Sequence, residues 1–474
     1  MSALLHQDPK PNVQQIISSG GEVAVIGLGK SGISASLLLL RHGSKVYASD
    51  AAKLDDTAVS AIQALRSKGA VVDTGGHDIE RIKRAALVVL SPGVPPTAPP
   101  VRAARDVGVS VISEVELALQ FMPKARYIAV TGTNGKTTTT ALVAHLLSAL
   151  GHNTVAAGNI GTPLTEIALA EQQPDWIALE LSSFQLHDTP SVNPAVGILT
   201  NLTPDHLDRY SSVDEYYGDK LNLFANAIPS SRWVFNADDH TSLALTGGVA
   251  GEHAYFTVFP GEEGVRSDAY YARASNYLVV LGEPLLPRIE LTLIGTHNVA
   301  NALAASLAVM LADQTHRTAE ARHRIADALR TFRALPHRLE LVGTWNDIQW
   351  INDSKATNVD STYVAITGMT HPTILLLGGR HKGEPYTRLA SAIRDHVKHV
   401  IAYGEAAELI EQDLREIVPV TRLGTNFSEV LQEARALAQS GDAILLSPAC
   451  SSYDMFKNYE DRGDQFRTLA KRYA

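Results

Sequence analysis

Lys136 and Thr137 close the run Gly132-Thr-Asn-Gly-Lys-Thr137, and residues of these types at this spacing have a definite chemical use. The lysine ammonium can neutralise phosphate oxygens, and the hydroxyl beside it can ligate Mg²⁺. Gly132 and Gly135 let the backbone N–H groups of Thr133, Asn134 and Thr138 curl around the same oxygens. The loop follows the apolar run Tyr127-Ile-Ala-Val130 and leads into a helical stretch, Ala141 to Leu150. Strand, glycine loop, Lys-Thr and helix together hold a nucleoside triphosphate, because the positive helix end faces the phosphates. A plain glycine turn before a helix leaves the Lys-Thr pair unexplained. The loop is shorter than the common Gly-x4-Gly-Lys-Thr form, which points to a particular subgroup of ATP users.

Further residues gather at predicted strand ends. Glu180 ends the apolar run Trp176-Ile-Ala-Leu-Glu180, a good position for a Mg²⁺ carboxylate or simply a solvated strand end. His206, in Asn201-Leu-Thr-Pro-Asp-His206, suits a metal or a phosphate, or a structural role. Lys220 stands in a helical stretch and reads by itself as a surface lysine. A second glycine run, Gly27-Leu-Gly-Lys-Ser-Gly32, follows the strand Glu22-Val-Ala-Val-Ile26 and precedes a helix of Ile33 to His42. Asp50 ends the next strand, about twenty positions on. This fingerprint fits NAD, and an NAD-dependent oxidoreductase is one reading; the geometry serves any nucleotide diphosphate. Later polar clusters are Gly295-Thr-His-Asn-Val-Ala-Asn301, Leu335-Pro-His-Arg-Leu-Glu340, Asn352-Asp-Ser-Lys-Ala-Thr-Asn358, Gly378-Gly-Arg-His-Lys-Gly383 and Ser447 to Gly463. Such clusters in loops after strands are where function concentrates, although Asp353 and Ser354 also suit a helix cap.

The elements that position these residues follow from the apolar pattern. Strand-like runs alternate with helical stretches along most of the 474 residues: Lys45 to Ser49, Leu87 to Leu90, Ala195 to Leu199, Trp233 to Asn236, Trp350 to Asn352, Thr373 to Leu377, Val400 to Tyr403 and Ala443 to Leu446. That alternation predicts an α/β class with mostly parallel sheets and active-site residues at strand C-terminal ends. Residues 251–294 are more polar, with short strand-like pieces, and Asn298 to Leu311 is an alanine-rich helix. The expected organisation is a polar tail at 1–20, a Rossmann-like domain at 21–122, a central ATP-binding domain at 123–334 and a Rossmann-like C-terminal domain at 335–474. A net charge of −9 argues against nucleic-acid binding as the main role. The single cysteine, Cys450, excludes an internal disulfide framework and suits a reducing cytoplasm. The first residues lack a basic start and a long apolar core, so no signal peptide is expected, and no apolar run is long enough for a membrane span.

Taken together, these motifs resemble the Mur ligase family of peptidoglycan synthesis, over nearly the whole chain apart from the N-terminal tail. The phosphate loop and Gly295 to Asn301 are shared across that family. Glu180-Leu-Ser-Ser-Phe-Gln-Leu186, His337-Arg-Leu-Glu340, Asn352 to Asn358 and the run from Ser447 to Gly463 are similar to its glutamate-adding branch. The resemblance implies a three-domain cytoplasmic ligase, a monomer, that joins D-glutamate to UDP-N-acetylmuramoyl-L-alanine through an acyl phosphate, with ATP and two Mg²⁺ ions. L-glutamate or another amino acid as acceptor is the alternative within the family.

The resemblance also implies roles. Lys136 and Thr137 hold ATP phosphates and one Mg²⁺; Glu180 ligates Mg²⁺, with His206 at a second metal. Lys220 matches a lysine carried as an N-carbamate. Asn298, Asn301, Arg338 and Asp353 match nucleotide contacts, and Asn159 and Ser182 match substrate contacts. Lys355, Thr357, Lys382, Ser452 and Tyr459 match the glutamate pocket. Gly29, Lys30, Ser31 and Asp50 belong to the UDP site. Two departures stand out. Asp50-Ala-Ala-Lys replaces the family's Asp-Thr-Arg run, so Lys30 or Lys53 would have to meet the UDP group in its place. Tyr459 stands where phenylalanine is usual.

Overall fold

The computed structural model describes residues 10–52, 56–205, 209–260 and 267–474. His206 and Lys53 lie outside these described residues. The chain forms two compact units, Met1–Arg288 with Ala300–Leu329, and Ile289–Val299 with Arg330–Ala474. Three sheets carry the architecture, and each is mainly parallel. Among the described residues, no helix is long and apolar enough to cross a membrane.

The first unit holds two sheets. One has five parallel strands in the order Val71–Thr74, Lys45–Asp50, Glu22–Ile26, Leu87–Leu90, Val111–Ser113. Near-continuous apolar strands such as Leu87–Leu90, buried at every position, are what a parallel sheet covered on both faces requires. The chain's order reverses at Glu22–Ile26, which has Lys45–Asp50 on one side and Leu87–Leu90 on the other. The second sheet has nine strands. Tyr127–Thr131 lies inside it between Trp176–Glu180 and Val196–Leu199, again at a reversal of order. Such switch points open a crevice at the strand C-termini, and each glycine loop leaves from one.

Some elements depart from the sequence expectation. The helix after the phosphate loop is Lys136–Ala149, so Lys136 and Thr137 form its first turn rather than a loop before it. Gly135, at φ 83°, supplies the left-handed residue that lets the helix start there. Likewise the first glycine loop passes into its helix at Lys30, not at Ile33. The polar stretch after Glu252–Thr257 closes the nine-stranded sheet with the antiparallel strands Ala269–Ala272, Tyr277–Val280 and Glu283–Pro287. The segment expected to be a polar tail up to residue 20 contains a helix, Val13–Ser18, capped by Asn12. Val13 is fully buried and Ile16 and Ile17 pack on the same core, an i, i+3, i+4 stripe. Gln120 accepts from Val13 N at 3.0 Å and donates to Pro11 O at 2.9 Å.

The second unit is built on a six-stranded sheet in the order Glu340–Trp345, Ile348–Asn352, Ala443–Leu446, Thr373–Gly378, Val397–Tyr403, Val420–Arg422. Only its first pair is antiparallel, a hairpin whose turn is Asn346-Asp347, both at positive φ. The three central strands end in Asn352, Leu446 and Gly378, so the polar runs that follow them emerge side by side.

Candidate active site

The phosphate loop is held closely by its neighbours. Gly132 has φ 141°, and a Cβ there would lie 2.0 Å from Thr200 Oγ1; one on Gly135 would lie 2.5 Å from Asn301 Oδ1. Thr133 N donates to Asn201 O and Asn134 N to Asn201 Oδ1, both at 2.9 Å, so these two N–H groups brace the loop on the neighbouring strand end instead of pointing at phosphate as the sequence suggested. Thr139 Oγ1 donates to Asn301 Oδ1 at 3.2 Å, so Asn301 braces the helix from the side. Thr137 and Thr138 are buried. Lys136 Nζ curls back to Gly132 O at 2.9 Å and Thr133 O at 2.7 Å.

Lys220 is not the surface lysine its sequence context suggests. It is 1% exposed, and its Nζ donates to the same Gly132 O at 2.7 Å. Burial, helped by the Lys136 charge, pushes the Lys220 ammonium well below the usual lysine range. It comes from the helix Val213–Leu221, where Tyr216 lies under the ammonium at 4.6 Å and also donates to Thr133 Oγ1 at 3.2 Å. The next residue back, Asp219, accepts from Tyr210 OH at 2.9 Å and pairs with His187 Nδ1 at 2.7 Å.

Glu180 sits on the strand beside the loop's own strand and is 1% exposed. Asn159 Nδ2 donates to its Oε1 at 2.9 Å, while no donor among the described residues reaches the buried Oε2. A buried carboxylate oxygen without a partner is costly unless a cation or ordered water takes it. Mg²⁺ is usually bound through one or two carboxylates plus substrate phosphates, so this oxygen beside a phosphate loop fits that ion. Among the described residues there is no group of three or more His, Cys, Asp or Glu that would hold a metal without a ligand's help. Ser182 caps the helix Ser183–His187, reciprocally with Gln185.

The first glycine loop opens on a cavity of about 920 Å³. Gly29, Lys30, Ser31 and Asp50 line one side, and Asn159 lies on the Gly158–Pro163 side. Thus Asn159 borders this cavity and also holds Glu180. His77, Ser91 and Pro92 line it as well, and the sequence reading passed over them as site residues. Only the loop position of Ser91-Pro-Gly93 after a strand hinted at them. Asp50 accepts from Leu28 N at 2.7 Å and Ala52 N at 2.9 Å. Ser49 Oγ lies 2.8 Å from His77 Nδ1. Burial holds the His77 imidazole below its ordinary value, so it offers hydrogen bonds rather than charge at neutral pH.

In the second unit, Asp353 is not a helix cap. Its Oδ2 accepts from Ser447 Oγ at 2.8 Å and its Oδ1 from Leu339 N at 3.2 Å; the next helix is capped by Asn358 instead. Burial pushes the Asp353 carboxyl up to about 7. Arg338 is among the charges that oppose that rise. Lys355 Nζ donates to Tyr459 OH at 3.1 Å, and Lys382 Nζ reaches Thr357 Oγ1 at 3.4 Å. Ser452 is buried in the Ser447 to Tyr459 run. Asn298 also belongs to this unit and donates to Ile294 O at 2.8 Å. Arg462, quoted in a motif but assigned nothing, is fully buried. Its guanidinium donates to Ser354 Oγ and O, Gly378 O and Cys450 O, tying three strand-end loops together.

Comparison with known proteins agrees along the chain. Residues 21–113 match a MurD-like N-terminal Mur ligase domain, 130–309 the Mur ligase middle domain and 337–450 the Mur ligase glutamate ligase domain. A UDP-N-acetylmuramoylalanine–D-glutamate ligase of Acidobacterium capsulatum is 39% identical over 455 residues, covering 95% of this chain and 96% of its own. The chain belongs to the Mur ligase family. A protein of the same description from Salinibacter ruber is 38% identical, covering 94% and 97% of the two chains. The Mur ligase fold is shared with UDP-N-acetylmuramate-alanine ligase of Thermotoga maritima, at TM-score 0.60 and 18% identity over 96% and 100% of the chains. A pseudomurein peptide ligase from Methanothermus fervidus aligns at TM-score 0.59 and 19% identity, over 96% and 100%. In this Mur ligase the structure gathers Lys136, Thr137, Glu180, Lys220 and Asn301 around one loop, and Gly29, Lys30, Ser31, Asp50 and Asn159 around one cavity. Asn298, Arg338, Asp353, Lys355, Thr357, Lys382, Ser452 and Tyr459 lie in the second unit.

Proposed function

We propose that this Mur ligase is an ATP-dependent acid–amino-acid ligase that adds D-glutamate to UDP-N-acetylmuramoyl-L-alanine in peptidoglycan precursor synthesis. The observation that carries the phosphoryl chemistry is the convergence of Lys136 and Lys220 on Gly132 O, beside Glu180 Oε2, which no donor among the described residues reaches. The acceptor and donor identities rest on the family's D-glutamate ligases. The alanyl carboxylate attacks the γ-phosphorus and ADP leaves, giving an acyl phosphate. The glutamate amine then attacks the acyl carbon, loses a proton and expels phosphate. Lys136 offsets the repulsion between the two anions in the first step, and the positive N-terminus of the helix Lys136–Ala149 faces the phosphates. Glu180 and the Thr137 hydroxyl would hold Mg²⁺, which would supply further charge neutralisation there. Asn159 keeps Glu180 in place from the edge of the cavity, which takes the UDP group. Asp353, Arg338, Asn298 and Asn301 serve the nucleotide. Lys355, Thr357, Lys382, Ser452 and Tyr459 offer the separated donors that two carboxylates need. Ser182 contacts substrate from its cap position, and His206 serves the second Mg²⁺. The protein acts as a cytoplasmic monomer.

Lys220 is read as an N-carbamate in the active enzyme. A buried amine with a depressed pKa is a nucleophile toward CO₂, and the carbamate oxygens suit a hard cation where an ammonium repels it. Lys220→Ala is expected to be inactive and partly restored by acetate or formate; full activity of that variant would remove the carbamate from the mechanism. The overall reading is tested by phosphate release with UDP-N-acetylmuramoyl-L-alanine against a panel of amino acids. D-glutamate is expected to give the highest kcat/KM. Equal turnover of L-glutamate would overturn the stereochemistry alone, while preference for a neutral or basic amino acid would overturn the pocket.

A further inference from the structure

The cavity beside the first glycine loop has two walls that are far apart in sequence, the Gly29–Ser31 side and the Gly158–Pro163 side. Directly behind the second wall the helix Leu164–Leu169 begins, and its second residue, Thr165, is fully buried. Thr165 donates to Glu114 Oε1 through both its backbone N–H and its Oγ1, each at 2.6 Å. Glu114 opens the helix Glu114–Phe121, is 1% exposed, and has an Oε2 that no donor among the described residues reaches. Burial pushes this carboxyl above its ordinary range while the Thr165 bonds pull it back; Oε1 accepts in either protonation state.

Thr165 Oγ1 also lies 2.7 Å from Ser34 Oγ. A hydroxyl has one proton, and that of Thr165 goes to the carboxylate, so Ser34 is the donor in this pair. Ser34 belongs to the helix Lys30–Arg41, whose first residues Lys30 and Ser31 line the cavity; with its one proton on Thr165, Ser34 does not also donate to Ser31 O, 3.1 Å away. A buried chain from Glu114 through Thr165 to Ser34 therefore ties the helix Leu164–Leu169, behind the Gly158–Pro163 wall, to the helix Lys30–Arg41, which carries Lys30 and Ser31. None of Glu114, Thr165 and Ser34 is among the residues that line the cavity.

We propose that Glu114, Thr165 and Ser34 are positioning residues that hold the two walls at a fixed separation, so that Gly29–Ser31 and Asn159 engage one UDP-linked ligand together. This rests on the reading of the cavity as the UDP site. A pre-set separation raises affinity by removing an ordering cost at binding. It leaves the phosphate loop, and so ATP, untouched. The same chain as mere fold reinforcement would change stability and nothing selective.

The test uses Ser34→Ala and Thr165→Val in the full chain, singly and together, with Thr165→Ser as the variant that keeps the hydroxyl. For each, kcat and both KM values are measured, and uridine diphosphate is titrated calorimetrically. Each disrupting variant is expected to raise the KM for UDP-N-acetylmuramoyl-L-alanine, and the Kd for uridine diphosphate, about tenfold. Turnover number and the KM for ATP stay within about twofold, the double variant is less than additive, and Thr165→Ser stays near wild type. Unchanged UDP affinity with a lowered melting temperature would overturn the proposal, as would equal losses for ATP. Wild-type protein that binds no uridine diphosphate at all would sink the cavity's assignment, and the proposal with it.

Discussion

The two glycine loops share a local pattern. Each leaves a buried parallel strand at a switch point and enters a helix at a Gly-Lys-Ser or Gly-Lys-Thr sequence. Their surroundings differ. At the first loop Gly27 and Gly32 are also tightly enclosed, but a Cβ on Gly29 would meet nothing within 4 Å, and the loop opens on a cavity. The backbone N–H of Leu28 is taken by the Asp50 carboxylate. At the second, both glycines are pressed by side chains, and Gly132 O receives Lys136 and Lys220. A carboxylate in a loop's donor set discourages a highly charged triphosphate, whereas the Lys136 ammonium in the first turn of the second loop's helix favours one. The glycine pattern sets a backbone shape; the neighbouring strand ends and the long-range partners set which anion it suits.

The largest effect that would sharpen this contrast is expected from Lys136→Ala, which removes the cation from the second loop. Turnover should fall by about 10²–10³, with melting temperature little changed and uridine diphosphate affinity retained. Phosphate-release kinetics beside thermal unfolding check it, and near-wild-type ligation would take the second loop out of the chemistry. Gly32→Ala attacks the first loop. Its Cβ would lie 1.8 Å from Gly27 O, so strand and helix must separate. The expected cost is about 3 kcal/mol of stability, with weakened UDP binding and an unchanged KM for ATP. Loss of ATP affinity to the same degree would show that the loops are not independent. The smallest effect is expected from Asp50→Asn, which weakens the bonds to Leu28 N and Ala52 N. The KM for the UDP substrate should rise about tenfold, with kcat preserved. Tighter UDP binding in that variant would reverse the role given to the carboxylate.

The strands Glu22–Ile26, Trp176–Glu180 and Ala443–Leu446 lie where the apolar runs place them, because a buried parallel strand needs little beyond its own sequence to be recognised. The helix at Val13–Ser18 was missed since its apolar stripe spans barely one turn, and only packing on the first core makes it stable. The antiparallel closing strands after residue 267 were legible only as strand-like pieces, because their partners are set by sheet pairing rather than by their own pattern.

The residues themselves thus determined the α/β class, the two glycine loops and the strand-end position of Glu180, all properties of segments a dozen residues long. Tertiary structure alone decided that Lys220 is buried on Gly132 O, that Asp50 closes a loop it follows by more than twenty positions, and that Arg462 joins three loops of the second unit. It likewise decided that Asn159 reaches both Glu180 and the cavity lined by Gly29. The reason is physical. Helix and strand periodicity are encoded by neighbours in sequence, whereas the burial and charge around a given side chain depend on which strands pair, and the pairing order is a property of the whole sheet.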